Sequence, residues 1–574
     1  MDRSTFIWLF ALLAVVYFLG FPIPIMDVDS AQYASISREM AESGNFLQVM
    51  SHGRDYLDKP PLLFWVTAIM FKLFGYANWS FKIGSFLFSL LGVYSTFRLG
   101  KLLYSASIGR VAAIVLFSCQ GFILFNNDVR TDTILSSSVI FAIWQIMEWL
   151  QTYRWKWLIG AAIGIACAML AKGPIGIMVP VLAAGSWIVG EGRWKDVFRW
   201  QYLILLLMVA VLLSPMLYGL YTQFDMQPEK TVGMVSPDGV RKQQNVSGLK
   251  FYLWTQSFGR ITGENVWKNS TGPLFFVHNF LWSFLPWALV FVMAFFSRVI
   301  ALFKALFKRK PLPELLTLGG FMLPFIAFSM SAYKLPHYIF VVFPLAAILL
   351  SAWWYQEAWP EKKGIKKMVV ALQLLVWLAF AAVIGLIHLW IFKGGWIIFG
   401  TAITFLGFSL WYLVRANQKV QHIIIAGVLV AVAGNISMNG RFYPELLNYQ
   451  AGSNAALAVK ERNINQASVY LYGYSSFSYY YYRGDFTQSL RLNEMADKLN
   501  DGHDFYVIVR GNKVMPLQEN FQFEEIHSFG SYQVTKLKMK FLNPETRPET
   551  LTQVYLLKML NIKENSKFAT SKTL

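Results

Sequence analysis

The sequence predicts a helical protein that crosses a membrane many times and ends in a small α/β domain. Of its 574 residues, 56% are hydrophobic and only 14% are charged, a composition that does not describe a soluble chain. Long apolar stretches recur through residues 1–439. From residue 440 the chain changes to short β-rich runs separated by charged and turn-like stretches.

Thirteen stretches are long and apolar enough to form membrane helices. The first, Ser4 to Met26, spans 23 uncharged residues and lacks the basic start and small-residue cleavage site of a secretion signal. The others lie near residues 79–99, 108–126, 133–151, 157–172, 174–190, 200–222, 274–297, 315–333, 335–356, 368–392, 395–414 and 421–439.

The distribution of lysine and arginine orients these spans, because cytoplasmic loops carry the excess of both residues. With the N-terminus inside, the short cytoplasmic connections hold most of the basic residues, and the opposite turns carry little beyond Arg130, Lys172, Lys334 and Lys393. Three long segments then lie outside, at residues 24–78, 223–273 and 440–574.

We therefore divide the chain into a membrane domain, residues 1–439 with outer loops 24–78 and 223–273, and a soluble extracytoplasmic α/β domain, residues 440–574. The β-rich runs of the second domain are Gln466–Arg483, Asp504–Arg510 and Ser531–Lys538.

Several functional classes are disfavoured. The two cysteines, Cys119 and Cys167, lie in apolar stretches, which excludes a disulfide framework or a cysteine-rich zinc site. There is no GxGxxG after a strand and no GxxxxGK[ST], so neither a nucleotide-sugar enzyme nor an ATP-driven pump is favoured. The net charge of +19 follows from membrane topology, so we expect membrane lipids, and not nucleic acid, as partners.

The first outer loop carries Asp29 directly before a helical stripe that ends at Gly44, typical of a helix lying on the membrane surface. Asp29 is either the N-cap of this helix or a functional acid. Further along the same loop, Asp58-Lys59-Pro60-Pro61 precedes a second such helix. Lys59 either reaches to a lipid headgroup or binds the phosphate of a lipid-linked substrate.

Two tight outer turns add further charges. The turn before the fourth span holds Asp128, Arg130 and Asp132, more charge than a helix cap requires so close to a membrane. Lys334 lies outside, against the trend of the other lysines. These residues and Arg260 of the outer loop all fall on one side, which favours an outward-facing site for an anionic lipid.

The chain resembles glycosyltransferase family 39, which includes the aminoarabinose transferases that act on lipid A and, more distantly, the protein O-mannosyltransferases. The resemblance covers residues 1–440 and is closest to bacterial members. It is carried by Asp29-Ser-Ala-Gln-Tyr33-Ala, Arg38-Glu-Met, Tyr56-Leu-Asp-Lys-Pro-Pro-Leu62, Val129-Arg-Thr-Asp132, Ala171-Lys-Gly-Pro174, Leu285-Pro-Trp287 and Lys334-Leu-Pro336.

This resemblance implies a GT-C fold, a polyprenyl-phosphate sugar donor and an acceptor near the outer leaflet of the inner membrane. Asp29 and Asp132 match the family's acids, and Lys59 matches its phosphate-contacting lysine. Asp58 matches an acid that helps some members bind a divalent metal. Two departures stand out: Ser30 follows Asp29 where the family often has a second acid, and no histidine lies near Arg260.

The expected reaction is an inverting sugar transfer. Asp29 and Asp132 are its expected catalytic residues: Asp29 acts as a base or orients the acceptor, and Asp132 supports it. Lys59, Arg260 and Lys334 are expected to bind the donor phosphate. The predicted substrate contacts are Tyr33, Tyr56, Tyr338 and Asp128.

Three alternatives stay open at this point. A protein O-glycosyltransferase has the same donor side. A flippase or transporter of lipid-linked sugars is expected to show related halves and polar residues at the membrane midplane. A structural assembly partner tolerates substitution of Asp29, Lys59 and Asp132.

Overall fold

The computed structural model describes residues 1–236, 239–256, 259, 271–308, 314–358, 363–415, 419–484 and 486–568. The chain forms two compact units. The first unit comprises Met1–Pro22, Met40–Gly385 and Gly395–Gly440. The second comprises Ile23–Glu39, Leu386–Gly394 and Arg441–Leu574.

Within the described residues, ten helices are long and apolar enough to cross a membrane. They are Arg3–Gly20, Asn78–Leu103, Thr131–Thr152, Trp155–Lys172, Gln201–Asp225, Ala288–Phe307, Pro336–Ala358, Gly364–Ile391, Trp396–Val414 and Val420–Leu447. A bent pair, Ala106–Phe117 with Gln120–Asn127, turns by 51° and gives an eleventh. The shorter apolar helices Ile175–Gly190 and Leu316–Ser329 coincide with the two remaining predicted stretches, so each of the thirteen stretches contains a helix.

Prolines explain where the observed helices depart from the predicted ones. The first helix ends at Gly20, ahead of Pro22 and Pro24, because proline lacks the N–H that would continue the helix. The stretch predicted at 274–297 divides at Pro286 into a short helix, Phe275–Ser283, and the long helix Ala288–Phe307.

The two predicted outer helices are both present. Asp29–Ser43 begins with Asp29 in its first turn and stops before Gly44, whose φ of +71° is a conformation that glycine adopts without steric cost. Leu62–Phe74 follows the Pro60-Pro61 pair; its 13 residues are too few to cross a bilayer.

Small antiparallel elements complete the first unit. Strands Met50–Ser51 and Arg54–Asp55 form one hairpin, and strands Val232–Ser236 and Gly239–Gln243 form another.

A four-stranded sheet forms the core of the second unit. Its strand order is Val469–Tyr472, Phe505–Arg510, Thr552–Ile562 and Phe521–Ser531; the first pair is parallel and the others are antiparallel. Four helices pack with this sheet: Ala451–Glu461, Phe477–Arg483, Leu492–Asn500 and Met515–Asn520.

Each face of the sheet packs against an apolar cluster. Ile508 contributes to one apolar cluster, whereas its neighbours Val507 and Val509 contribute to another, as expected when successive side chains point to opposite faces.

Two of the predicted β-rich runs differ from the structure. Only Val469–Tyr472 of the run 466–483 is a strand, and Phe477–Arg483 is a helix. The Ser476 hydroxyl accepts a hydrogen bond from the Tyr479 N–H and so caps the helix, which overrides the β preference of its tyrosines. The strand predicted at 531–538 is wrong: the strands are Phe521–Ser531 and Thr552–Ile562.

Candidate active site

Asp132 lies where two neighbouring membrane helices meet. It is in the first turn of Thr131–Thr152, and Lys172 is the last residue of the following helix, Trp155–Lys172. The Asp132 side chain is 3% exposed, and its Oδ1 accepts a hydrogen bond from Lys172 Nζ. The same Nζ lies 4.0 Å from the centre of the Tyr338 ring, close enough for a cation–π contact. The carboxylate is therefore held by a buried countercharge.

His337 faces the second oxygen of the same carboxylate. Its Nε2 lies 3.7 Å from Asp132 Oδ2. The imidazole ring meets Phe125 and Tyr338 edge to face, at centroid distances of 5.9 and 5.2 Å. We call Asp132, Lys172, His337 and Tyr338 the Asp132 cluster.

A second buried ion pair lies in the turn that leads to Asp132. Arg130 donates hydrogen bonds from Nε and Nη2 to Asp128 Oδ2, at 3.1 and 2.7 Å, and both residues are buried. Lys82 is fully buried in Asn78–Leu103, donates to the Gly20 carbonyl at 2.8 Å and interacts electrostatically with Asp128. The charges of this turn are thus compensated within the protein.

Lys59 is placed differently. Its Nζ contacts Asp58 Oδ2 at 2.7 Å, but the Asp58 side chain is 39% exposed, whereas that of Lys59 is 15% exposed. Gln256 donates a hydrogen bond to the Asp58 main-chain carbonyl. Lys59 is therefore paired with a carboxylate, that of Asp58, which is in contact with solvent.

A small cleft opens beside Lys59. Among the described residues that line it, seven are apolar, four are polar without charge and one, Lys59, is a cation. These lining residues are Leu47, Val49, Tyr56, Leu57, Lys59, Pro60, Pro61, Met216, Leu220, Gln223, Tyr252 and Gln256. This combination suits a ligand with one anionic group and a hydrocarbon chain.

The cleft and the Asp132 cluster lie at the same end of one helix. Tyr252, which lines the cleft, donates its hydroxyl to the Met169 carbonyl at 3.2 Å. Met169 precedes Lys172 by three residues in Trp155–Lys172, about one helical turn. Lys334, buried and donating to the Thr271 carbonyl at 3.3 Å, precedes His337 by three residues.

A hairpin supports the rim of the cleft. Gln223 Nε2 donates to the Val49 carbonyl and to Asp55 Oδ1, at 3.1 and 2.9 Å, and Lys230 pairs with the same Asp55 oxygen at 2.9 Å. In the turn of this hairpin, burial and the nearby Arg54 guanidinium lower the pKa of His52 to about 4. The imidazole is thus neutral at physiological pH.

The remaining predicted site residues fall in other parts of the chain. Asp29 and Tyr33 lie in the second unit, on the helix Asp29–Ser43, and Tyr33 is buried. Arg260 lies outside the described residues.

A divalent metal at Asp58 finds little support among the residues that the structure describes. No group of three or more His, Cys, Asp or Glu side chains converges in them, and the Asp58 carboxylate contacts the Lys59 ammonium. Within the described residues, Asp58 thus offers one carboxylate beside an ammonium group, which does not make the donor set of a divalent metal site.

Sequence reasoning missed Lys172, His337 and Lys82. Lys172 stands in the Ala171-Lys-Gly-Pro174 motif as an outward lysine. One signal in the sequence could have predicted its contact with Asp132. Asp132 begins one membrane helix and Lys172 ends the next, so both residues fall on the same side of the membrane. Nothing comparable marks His337, because its contact with Asp132 joins residues 205 positions apart.

Residues 58–218 match the family model described as dolichyl-phosphate-mannose-protein mannosyltransferase. The chain is 25% identical over 358 residues to the undecaprenyl phosphate-alpha-4-amino-4-deoxy-L-arabinose arabinosyl transferase of Edwardsiella ictaluri, covering 60% of this chain and 58% of the relative. A Pseudomonas fluorescens protein of that name is 26% identical over 357 residues, covering 60% and 56%. The chain thus spans less than two thirds of the length of these relatives.

The crystal structure of ArnT from Cupriavidus metallidurans bound to undecaprenyl phosphate superposes with a TM-score of 0.71 and 16% identity, covering 97% of this chain and 98% of the other. The apo structure of the same protein gives a TM-score of 0.70 and 15% identity, covering 96% and 97%. These findings confirm the resemblance to the aminoarabinose transferases, the GT-C fold and a helical integral membrane protein.

Proposed function

We propose that this chain, a GT-C membrane protein that resembles the aminoarabinose transferases, is a glycosyltransferase that moves a sugar from a polyprenyl-phosphate donor to lipid A or another glycolipid. The reaction takes place at the outer face of the bacterial inner membrane, the periplasmic side. The proposed partners are the lipid-linked donor, the acceptor and the surrounding membrane lipids.

The observation that carries this proposal is the cleft beside Lys59. The Lys59 ammonium lines a cleft whose other described lining residues are uncharged and are mostly leucine, valine, proline and methionine. A polyprenyl phosphate has the complementary chemistry, because its phosphate is anionic and its isoprenoid chain is apolar. Lys59 holds the phosphate, and the apolar lining covers the first isoprene units.

The donor reacts at its anomeric carbon. The bond from this carbon to the phosphate oxygen breaks, the phosphate leaves with the bonding electrons, and an acceptor oxygen attacks from the opposite face. This order of bond changes inverts the anomeric configuration. Lys59, with Lys334 and Arg260, neutralises the charge that develops on the phosphate.

Asp29 accepts the proton of a hydroxyl acceptor, or orients a phosphate acceptor that has no proton to lose. Asp132 supports the acceptor side, and its carboxylate keeps its orientation through Lys172. Tyr33, Tyr56, Tyr338 and Asp128 contact the sugar. No step is assigned to a metal at Asp58.

A protein acceptor is the second candidate. The match to the mannosyltransferase family covers residues 58–218 and so includes Lys59 and Asp132. In that case the residues that bind the polyprenyl-phosphate donor are the same, and only the acceptor molecule differs.

The test is transfer from a synthetic polyprenyl-phosphate sugar by the purified protein in detergent. Asp29→Asn is expected to lower turnover by about 10²- to 10⁴-fold, the usual contribution of a general base. Glu42→Gln is the matched control, since Glu42 is an exposed acid on the same helix. Near-normal turnover in Asp29→Asn contradicts the assignment.

The acceptor is identified by mass spectrometry of lipid A, glycolipids and glycoproteins from cells with and without the gene. A sugar mass missing from lipid A or a glycolipid supports the first candidate. A sugar mass missing only from proteins supports the second.

A further inference from the structure

The segment that carries Asp29 is tied by hydrogen bonds to other residues of the second unit. The Ile25 N–H donates to the Tyr482 hydroxyl at 2.8 Å. Gln450 bridges Ile25 and Asp27: its Nε2 donates to the Ile25 carbonyl at 2.9 Å, and its Oε1 accepts from the Asp27 N–H at 2.8 Å. The backbone is thus fixed immediately before Asp29.

Asp27 adds a side-chain anchor to these backbone bonds. Its Oδ2 accepts hydrogen bonds from the hydroxyls of Ser476 and Ser478, at 2.7 and 2.6 Å. Its Oδ1 accepts from the Ser478 N–H at 2.9 Å. Three donors from one short stretch therefore hold a carboxylate that lies two residues from Asp29.

The helix Asp29–Ser43 is held along its length by the same stretch of chain. Ser35 Oγ donates to the Phe477 carbonyl at 3.3 Å, and Arg38 Nη1 donates to the Tyr481 carbonyl at 3.0 Å. Because contacts lie on both sides of Asp29, they limit both the position and the rotation of the helix.

We propose that Asp27, with Ser476, Ser478 and Gln450, positions the catalytic carboxylate of Asp29, so that the α/β part of the chain fixes the geometry of a catalytic residue. This inference rests on the role of Asp29 under the proposed function. Asp27 is a positioning residue: it acts through Asp29 and touches neither donor nor acceptor.

Catalysis makes such an anchor necessary. A displacement of about 1 Å of a reacting group lowers a rate by roughly 10²-fold. Asp29 stands at the start of its helix, where chain ends fray unless other groups hold them. The donors to Asp27 are hydroxyl and amide groups, which fix geometry without bringing a positive charge beside the base.

The state of Asp27 suggests how to test the anchor. Removal of water around its carboxylate raises the pKa of Asp27, although Ser478 and Ser476 oppose the shift. A neutral group of the same shape is therefore compatible with this site. Asparagine keeps an oxygen that accepts from Ser478, whereas alanine removes both oxygens.

The experiment compares Asp27→Ala, Asp27→Asn and Ser478→Ala in the full-length protein, with kcat and donor KM measured separately. We expect Asp27→Ala to lower kcat by about 10²-fold with donor KM unchanged, because the donor site is intact. Asp27→Asn is expected to recover most of the loss. Ser478→Ala is expected to lower kcat by about two- to tenfold, the usual effect of losing one hydrogen bond.

Asn520→Ala is the matched control for structural damage. Asn520 is buried in the same unit, donates to the Pro516 carbonyl at 2.8 Å and accepts from Ser566 at 3.0 Å. These bonds join Asn520 to Pro516 and Ser566 and not to the Asp29 segment, so this variant is expected to lower the unfolding temperature while kcat stays normal.

A normal kcat in Asp27→Ala overturns the inference, as does a loss of kcat in Asn520→Ala equal to that in Asp27→Ala at the same loss of stability. If Asp27→Ala fails to accumulate in membranes, Ser478→Ala and Asp27→Asn decide the question by their kcat relative to Asn520→Ala. Failure of the proposed function is distinguishable, because then Asp29→Asn itself retains turnover.

Discussion

Two lysines of the first unit each pair with an aspartate, and the two pairs differ in burial. Lys172 contacts Asp132, whose side chain is 3% exposed, and Lys59 contacts Asp58, whose side chain is 39% exposed. A buried charge needs its partner, because the protein offers no water in its place. An exposed carboxylate is solvated without the lysine, and such a pair contributes only about 0–1 kcal/mol.

This difference separates a structural cation from a binding cation. Lys172 cannot leave Asp132 without stranding a buried carboxylate. Lys59 can exchange Asp58 for a phosphate at little cost, since water takes over the solvation of the aspartate. The outward-facing partner therefore supports Lys59 as the residue that binds the donor phosphate.

The largest expected effect comes from breaking the buried pair. Asp132→Asn leaves the Lys172 ammonium without its carboxylate and is expected to lower the free energy of unfolding by about 3–5 kcal/mol. Lys172→Met is expected to be similarly harmful, and the double variant less harmful than the sum of both. Thermal unfolding in detergent measures this, with Asp504→Asn as control because Asp504 is 82% exposed in its pair with Lys558. Equal unfolding temperatures for Asp132→Asn and the control would refute the distinction.

The next effect concerns the exposed pair. Lys59→Met is expected to lower the transfer rate by about 10²- to 10³-fold, as for the loss of one group that stabilises developing charge. Its unfolding temperature is expected to stay close to that of the wild type, since an exposed pair contributes little. Initial rates against donor concentration and thermal unfolding provide the two readings.

Asp58→Asn is the matched control for Lys59→Met. Removal of the exposed partner is expected to change the rate by less than about fivefold, corresponding to roughly 1 kcal/mol. The comparison fails if Asp58→Asn is as inactive as Lys59→Met, or if Lys59→Met is as unstable as Asp132→Asn.

The smallest expected effect is a change in the pH dependence of stability caused by His52, in the hairpin at the rim of the cleft. Burial and Arg54 lower the pKa of His52 from 6.5 to about 4, so the folded protein keeps this histidine neutral. Between pH 6.5 and about pH 4, His52 of the unfolded chain binds a proton that His52 of the folded protein does not. The free energy of unfolding therefore falls as the pH falls through this range.

His52→Asn is expected to reduce the drop in unfolding temperature between pH 7 and pH 5, since asparagine does not titrate and tolerates the φ of +56° at this position. His503→Asn is the control, because His503 is exposed in the second unit. An equal drop for wild type and His52→Asn excludes a contribution from His52.

Local signals explain which parts of the fold were predictable. Each membrane helix is recognisable from a local apolar stretch of about twenty residues, because a chain in lipid must satisfy its backbone polar groups internally. Two local effects were outweighed by the composition around them. The apolar residues around Pro286 predicted one continuous span, and the tyrosines after Ser476 predicted a strand where the Ser476 cap begins a helix. In the second unit, the pairing of Phe521–Ser531 with Thr552–Ile562 depends on contacts between distant residues, which local pattern does not encode.

The same limit applies to the candidate site. Lys59 was predicted because Asp58-Lys59-Pro60-Pro61 places unusual residue types side by side. Lys172 and His337 were missed because each becomes notable only beside Asp132, on another helix. Asp27 gives no signal of its role in the sequence, because its hydrogen bonds join it to Ser476 and Ser478, about 450 residues later.

The sequence by itself determined the helical membrane architecture, the positions of the thirteen apolar stretches and the types of residue available for chemistry, because hydrophobicity and charge act over a few helical turns. Only the tertiary structure decided which acid is paired with which cation, how much water reaches each pair and which residues hold the Asp29 segment. Burial and partner choice depend on packing between helices far apart in the chain. It is the burial of the aspartate that separates the Asp132–Lys172 pair from the Asp58–Lys59 pair.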